Sequence, residues 1–172
     1  LTNIEEIREK LLEFKKSGKF IYSYSEVYTQ LSYYLSSVSD SIFLNPQGMI
    51  EFNGFSAGVL FYKEFLDKIG YDVQVIRHGK FKSAVEPYMY NGMSDENREQ
   101  LEKLLNSMSD VINEGVSKQR SIKDEKINEI INNLQLNSPQ ACMELNFVDD
   151  LRYEDEVLSL LQEKSKNLIE FQ

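Results

Sequence analysis

The 172-residue sequence predicts an α/β fold with a helical C-terminal portion. In the first half, short stretches rich in aromatic and β-branched residues alternate with segments whose apolar residues recur every three or four positions. From Ser94 onward the helical period dominates. Strands that alternate with helices are typical of α/β proteins, and a chain of this length suits one domain. We therefore predict a single domain over 1–172, with an α/β core over 1–92 and a mainly helical extension over 93–172.

Periodicity and capping signals predict the elements of the core. Thr2 and Glu5 have the spacing of a capping box, which predicts that a first helix starts there and ends before a glycine cap at Gly18. Its apolar face should comprise Ile4, Ile7, Leu11 and Phe14. The following elements are predicted as a strand over 20–24, a helix over 27–37, two short strands (41–46 and 48–54) around a Pro-Gln-Gly turn, a helix over 58–69 and a strand over 71–79.

The extension is predicted as four helices. Ser94 is an N-cap candidate for the first, whose apolar stripe continues to Val116, and Ser121 is predicted to restart a second. Ser138 followed by Pro139 predicts the start of a third, since proline is favoured at the first helical position. The last is predicted over 154–167.

For the 58–69 helix of the core we expect the following residues to face inward: Val59, Leu60, Phe65, Leu66 and Ile69.

Composition excludes several classes of function. The net charge of −9 argues against a nucleic-acid partner, because the phosphates would be repelled. Cys142 is the single cysteine, so no internal disulfide can form, and with one histidine a zinc site is not expected. We predict neither a metal nor a cofactor. No apolar run reaches the roughly 18 residues that a membrane span needs, and no signal-peptide pattern opens the chain.

The segment "RHGKFKSAVEPYMYNGMS" (77–94) holds two lysines, Lys80 and Lys82, among apolar residues. A lysine acts as a general base only when its amine is neutral near pH 7. Its pKa must then fall about three units from roughly 10.4, and burial can supply that shift. Composition alone leaves two interpretations open: a solvated lysine at a strand end, or a base held in an apolar site.

Longer strings carry a family resemblance. "LNPQGMIEFNGF", "FYKEFLDKIGYDVQVIRHGKFKSAVEPY" and "MSDENREQ" occur in this order, and "SPQACMELNFVDDL" follows. Together they resemble the signal peptide peptidase family (SppA, also called protease IV) in its long, tandem-repeat form. The resemblance covers most of the chain and is strongest from Phe20 to Leu105.

The resemblance implies a ClpP/crotonase-like fold, present twice in tandem, in a serine peptidase that degrades leftover signal peptides. It implies a membrane-anchored, ring-like homo-oligomer at the inner membrane of the bacterial envelope, whereas this chain alone is expected to be soluble. The family uses a serine–lysine dyad, with the lysine in the first repeat and the serine in the second. Its lysine belongs to K-S-A-x-E-P, which assigns the general base to Lys82 and not to Lys80.

The chain also departs from the family's serine-bearing repeat. There the nucleophile opens a Ser-Gly-Gly turn at a helix start, whereas our alignment places Leu31 in that position, followed by Ser32 and Tyr33. The glycine-rich oxyanion segment is expected before Leu1. We therefore expect most of one repeat, which supplies the base while a downstream repeat supplies the serine.

Several alternatives remain open at this point. Ser32 is either a nucleophile or a hydroxyl bonded to the preceding turn. His78 is either an acid or a strand-end residue, and Glu86 either orients Lys82 or pairs with Arg77 or Lys80. Two other functions compete: an acyl-CoA hydratase or isomerase of the crotonase superfamily, and a non-catalytic repeat that builds the oligomer.

Overall fold

The computed structural model describes residues 1–75 and 83–169, without the side chains of 166–169. It divides into two compact units, Leu1–Gly54 with Asp110–Gln172, and Phe55–Ser109. The helices are α1 (Thr2–Lys15), α2 (Gln30–Ser36), α3 (Lys63–Lys68), α4 (Glu86–Met89), α5 (Asp95–Arg120), α6 (Asp124–Asn132), α7 (Pro139–Glu144) and α8 (Glu154–Ile169), with a 3₁₀ turn at Ser83–Val85. The strands are β1 (Tyr22–Thr29), β2 (Ser41–Glu51) and β3 (Asp150–Leu151).

The sheet of the first unit is parallel, with the strand order β1-β2-β3. The combination of helices with a parallel sheet confirms the predicted α/β class. β3 was not predicted from the sequence, because it is only two residues long. Asp149 joins β3 to β2 because its carboxylate accepts the Ile42 N–H (2.7 Å) and also pairs with Arg120 at the end of α5 (2.9 and 3.0 Å).

The segment predicted as two short strands around a Pro-Gln-Gly turn is one strand with a wide bulge. Ser25 pairs with Leu44 and Val27 with Met49, so four residues of β2 lie opposite Glu26 alone. Gly48 allows the strand to rejoin β1, because a Cβ at this position would collide with the Glu26 carbonyl oxygen. The prediction of a turn was wrong because the glycine serves close strand approach instead.

The core of the first unit contains an aromatic cluster. The Tyr33 ring lies 5.1 Å from that of Phe147 and 5.5 Å from that of Phe52, and all three side chains are at most 1% exposed. The Tyr33 hydroxyl donates to the Phe147 carbonyl (2.8 Å), so its polar end is satisfied inside the core. Tyr28 packs against Tyr33 at 6.1 Å.

The first helix is confirmed, but the predicted capping box at its N-terminus and its predicted packing are wrong. Thr2 is already helical, the N-cap is Leu1, and no side chain caps the helix. Ile7 and Phe14 of the predicted inward face are 50% and 42% exposed. Arg8 is the buried residue of α1, because its guanidinium donates hydrogen bonds to three oxygen atoms of the first unit: the Tyr34 carbonyl, the Ser37 hydroxyl and the Gly115 carbonyl.

Other boundaries also differ from those predicted. Residues 27–29 extend β1, and α2 starts only after Thr29, whose side chain accepts the Ser32 N–H as an N-cap. Residues 71–75 form no strand, and the rest of the strand predicted over 71–79 lies outside the described residues. Ser121 adopts a φ of 55° and ends α5, so that α6 starts at Asp124. The Ser138 N-cap and the last helix are confirmed.

The second unit holds α3, the 3₁₀ turn, α4 and the first part of α5. The predicted helix over 58–69 is reduced to α3. Leu60, Phe65 and Ile69, expected inside, are 73%, 60% and 50% exposed. The apolar residues over 58–69 recur at helical spacing, but they do not form a buried face of the helix.

Candidate functional site

The predicted base, Lys82, lies outside the described residues, together with Lys80, Arg77 and His78. Its assignment therefore stays a prediction. The described chain resumes at Ser83, so the surroundings of the motif can be built from the residues that follow Lys82 in K-S-A-V-E-P.

The motif continues as a 3₁₀ turn and a short helix. Ser83–Val85 form the turn, and Glu86 opens α4 with Pro87 in its first turn. Proline suits this position because the N–H that it lacks would have no partner within the helix. The Pro87 carbonyl accepts the Tyr62 N–H (2.7 Å), and the Tyr62 and Tyr88 rings stack at 5.8 Å.

The Glu86 side chain is buried at the start of α4, with 1% exposure. Its Oε1 accepts from the Ser94 hydroxyl (2.5 Å), and its Oε2 accepts from Asn97 Nδ2 (2.9 Å) and from the Ser94 N–H (3.3 Å). Ser94 also caps α5, since its hydroxyl accepts the Asn97 N–H (3.2 Å). The carboxylate thus joins the start of α4 to the first turn of α5.

A shallow, mainly apolar groove runs beside this anchor. It is lined by Val59, Ser83, Ala84, Pro87, Asn97, Gln100, Leu101 and Leu104. Ser83 and Ala84, which follow Lys82 directly, form one of its walls. The groove offers space for an apolar side chain beside Ser83 and Ala84.

The position aligned with the family's nucleophile lies at the junction of β1 and α2. Leu31 occupies it with a half-buried aliphatic side chain, which has no group able to attack a carbonyl. The neighbouring Ser32 is exposed, and its hydroxyl donates to the Thr29 carbonyl (3.0 Å) while Thr29 Oγ1 donates to it (3.1 Å). This geometry agrees with a hydroxyl bonded to the preceding turn.

Within the described ranges, Cys142 is a poor nucleophile and no metal-holding cluster occurs. Burial raises the pKa of the Cys142 thiol to about 11, so the thiolate is not available near neutral pH. Residues 1–75 and 83–169 contain no cluster of three or more histidine, cysteine or acidic side chains that could hold a metal ion. Within the same residues, no helix is long and apolar enough to cross a membrane.

The partners of Glu86 were not predictable from the motif alone. Ser94 was recognised as a helix cap and Glu86 as an open question, but nothing linked the two. The only local signal was an asparagine three residues after the cap, a position from which its amide can reach back over the first turn.

The chain belongs to peptidase family S49, whose model matches residues 13–168. It is 34% identical over 161 residues to the chloroplastic serine protease SPPA of Arabidopsis thaliana, covering 94% of this chain and 24% of that protein. It is 39% identical over 114 residues to Protease 4 of Haemophilus influenzae (66% and 18% covered) and 43% identical over 93 residues to Protease 4 of Salmonella typhi (54% and 15% covered). The predicted resemblance is confirmed, and the chain spans a quarter or less of the length of these relatives.

Proposed function

We propose that this chain is the lysine-bearing repeat of a serine–lysine peptidase of the signal-peptide-peptidase type, with Lys82 as general base. The observation that carries the proposal is the K-S-A-V-E-P motif at 82–87, which lies inside the region matched by peptidase family S49. A match to a family of peptidases favours peptide hydrolysis over acyl-CoA chemistry. The parallel sheet flanked by helices is compatible with a ClpP/crotonase-like repeat, which we also propose.

The proposed mechanism divides two roles between two repeats. The neutral Lys82 amine accepts the serine hydroxyl proton while the serine oxygen attacks the scissile carbonyl carbon. It then returns the proton to the leaving amine nitrogen as the C–N bond breaks. The lysine must be neutral at the start of each cycle, so its site must disfavour the ammonium form.

We propose that the serine comes from another repeat of the same protein. Two features support this division of labour: a leucine occupies the aligned nucleophile position, and Ser32 is bonded to Thr29. We further propose leftover signal peptides in the bacterial envelope as substrates, a membrane-anchored full-length protein and a homo-oligomeric assembly. A repeat that only builds the oligomer would tolerate replacement of Lys82.

The test compares Lys82→Ala with Lys80→Ala in the full-length protein, using a fluorogenic apolar leader peptide. Lys82→Ala should lower kcat by about three orders of magnitude or more, because a dyad loses its function when either member is removed. Lys80→Ala is the matched control and should cost far less. Equal losses, or full activity of Lys82→Ala in a correctly folded protein, would refute the assignment.

A further inference from the structure

We propose that Glu86 is a positioning residue of this peptidase, which fixes the backbone that carries Lys82 by tying α4 to the first turn of α5. The inference rests on the proposed role of Lys82 and adds a residue with its own function. Glu86 acts on the reaction through the backbone and not by contact with substrate.

The geometry shows a carboxylate that accepts hydrogen bonds at both oxygens. Ser94 Oγ donates to Oε1 (2.5 Å), whereas Asn97 Nδ2 and the Ser94 N–H donate to Oε2 (2.9 and 3.3 Å). These three donors belong to the start of α5. With 1% of its surface exposed, the carboxylate cannot replace these donors with water.

The burial of this charge has an energetic consequence. An ionised carboxylate in a protein interior costs several kcal/mol unless hydrogen bonds and nearby positive charge compensate it. Here the donors are joined by the positive end of the dipole of α5, a helix of 26 residues. A shift of α4 away from α5 would break these three hydrogen bonds to the carboxylate.

The chain between Glu86 and Lys82 is too short to absorb such a shift. Only Ser83–Val85 separate them, and these residues form a 3₁₀ turn. The bond from the Tyr62 N–H to the Pro87 carbonyl (2.7 Å) holds α4 from a second direction. The segment after Lys82 is thus anchored at two points, and a misplacement of about 1 Å in a catalytic group can cost roughly 10²-fold in rate.

The test uses the full-length protein and measures kcat and KM separately, below the melting temperature of each variant. Glu86→Ala removes the three hydrogen bonds to the start of α5 and should lower kcat by about 10²-fold. KM should change less than about threefold, because substrate binding does not require the base. The control is Glu99→Ala on the same helix, which breaks an exposed pair with Lys103 and should leave kcat unchanged.

The Glu86→Gln variant distinguishes the effect of the link between α4 and α5 from the effect of the negative charge of Glu86. The glutamine oxygen can accept at the Oε2 position, and its amide can donate to the Ser94 hydroxyl, so the link between α4 and α5 is retained. We expect Glu86→Gln to keep kcat within about fivefold of the wild-type value. A loss in Glu86→Gln as large as that in Glu86→Ala would show that the charge matters and not the link, and would overturn the proposal.

The remaining outcomes are also decisive. A folded Glu86→Ala with a lowered melting temperature but normal kcat would reduce Glu86 to a stabilising residue. If Glu86→Ala does not fold, the Asn97→Ala variant is measured instead, since it removes one of the three hydrogen bonds. A severalfold fall in its kcat would support the positioning role, and an unchanged kcat would refute it. Activity in Lys82→Ala would instead refute the proposed function, whereas an inactive Lys82→Ala with normal Glu86 variants refutes this inference alone.

Discussion

The guanidinium of Arg8 lies 4.2 Å from the centre of the Tyr34 ring and donates to the Tyr34 carbonyl. It also donates to the Ser37 hydroxyl (2.6 Å) and to the Gly115 carbonyl (2.7 Å). One buried charge therefore connects α1 with α2 and α5. Burial lowers the pKa of Arg8, yet a guanidinium retains its charge at any physiological pH.

This relationship predicts that Arg8→Met destabilises the chain by about 3 kcal/mol. The replacement leaves two buried oxygen acceptors and one partly buried acceptor without their charged donor. Each such loss costs about 1–3 kcal/mol before relaxation. The control is Lys10→Met on the same helix, whose exposed pair with Glu13 should contribute little. Urea denaturation followed by circular dichroism measures both, and equal effects would contradict the role given to Arg8.

The bulge in β2 predicts that Gly48→Ala is poorly tolerated. The new methyl group would collide with the Glu26 carbonyl oxygen and approach Leu44 Cδ1 to 2.9 Å, so backbone must move, at a cost of about 2–3 kcal/mol. Gly58→Ala is the matched control, because nothing lies within 4 Å of its added methyl group. Thermal denaturation should show a clear fall for the first variant, and a wild-type melting temperature would refute the close approach.

Buried acidic groups predict that the chain loses stability in alkali. Burial raises the pKa values of Tyr28, Tyr33 and Cys142, the last to about 11 from 9.0. The unfolded chain releases these protons at a lower pH than the folded chain does. The stability that the three groups contribute is therefore complete below about pH 9 and is lost as the pH rises through their folded-state pKa values. Cys142 alone should account for about 2–3 kcal/mol between pH 9 and 11. Cys142→Ala should therefore flatten the decline of the unfolding free energy over this range, and an unchanged slope would contradict the shift.

The proposed division of roles predicts that residues 1–172 alone have no peptidase activity. A serine–lysine mechanism needs a serine oxygen within about 3 Å of the neutral amine, together with oxyanion donors. Leu31 occupies the aligned nucleophile position, so hydrolysis of a fluorogenic apolar leader peptide should not exceed background. Turnover by this chain that Ser32→Ala abolishes would show that the nucleophile lies within it.

Local features of the fold were predictable where neighbouring residues decide them. Ser138 caps α7 by accepting the Ala141 N–H (3.2 Å), and Ser94 caps α5 in the same way. Both caps involve residues three positions apart, so their signal lies in adjacent sequence. The family was also predictable from the motif around Lys82, because the motif is a long string of consecutive residues.

Long-range packing was not predictable from periodicity. Apolar residues of α1 and α3 have helical spacing, but Ile7, Phe14 and Phe65 are exposed while the charged Arg8 is buried. Periodicity indicates that a helix has two faces, and only the acceptors and side chains brought to it by the rest of the chain decide which face is covered. For Arg8 those acceptors come from residues 26 to 107 positions away.

The sequence by itself determined the family, the alternation of helices and strands, and the residue types available for chemistry. Tertiary structure alone decided the two-residue strand β3, the bulge opposite Glu26 and the burial of Glu86 against Ser94 and Asn97. The physical reason is that helix caps and family motifs are contained in a few consecutive residues. Strand register and the compensation of a buried charge depend instead on partners that only the folded chain brings within hydrogen-bonding distance.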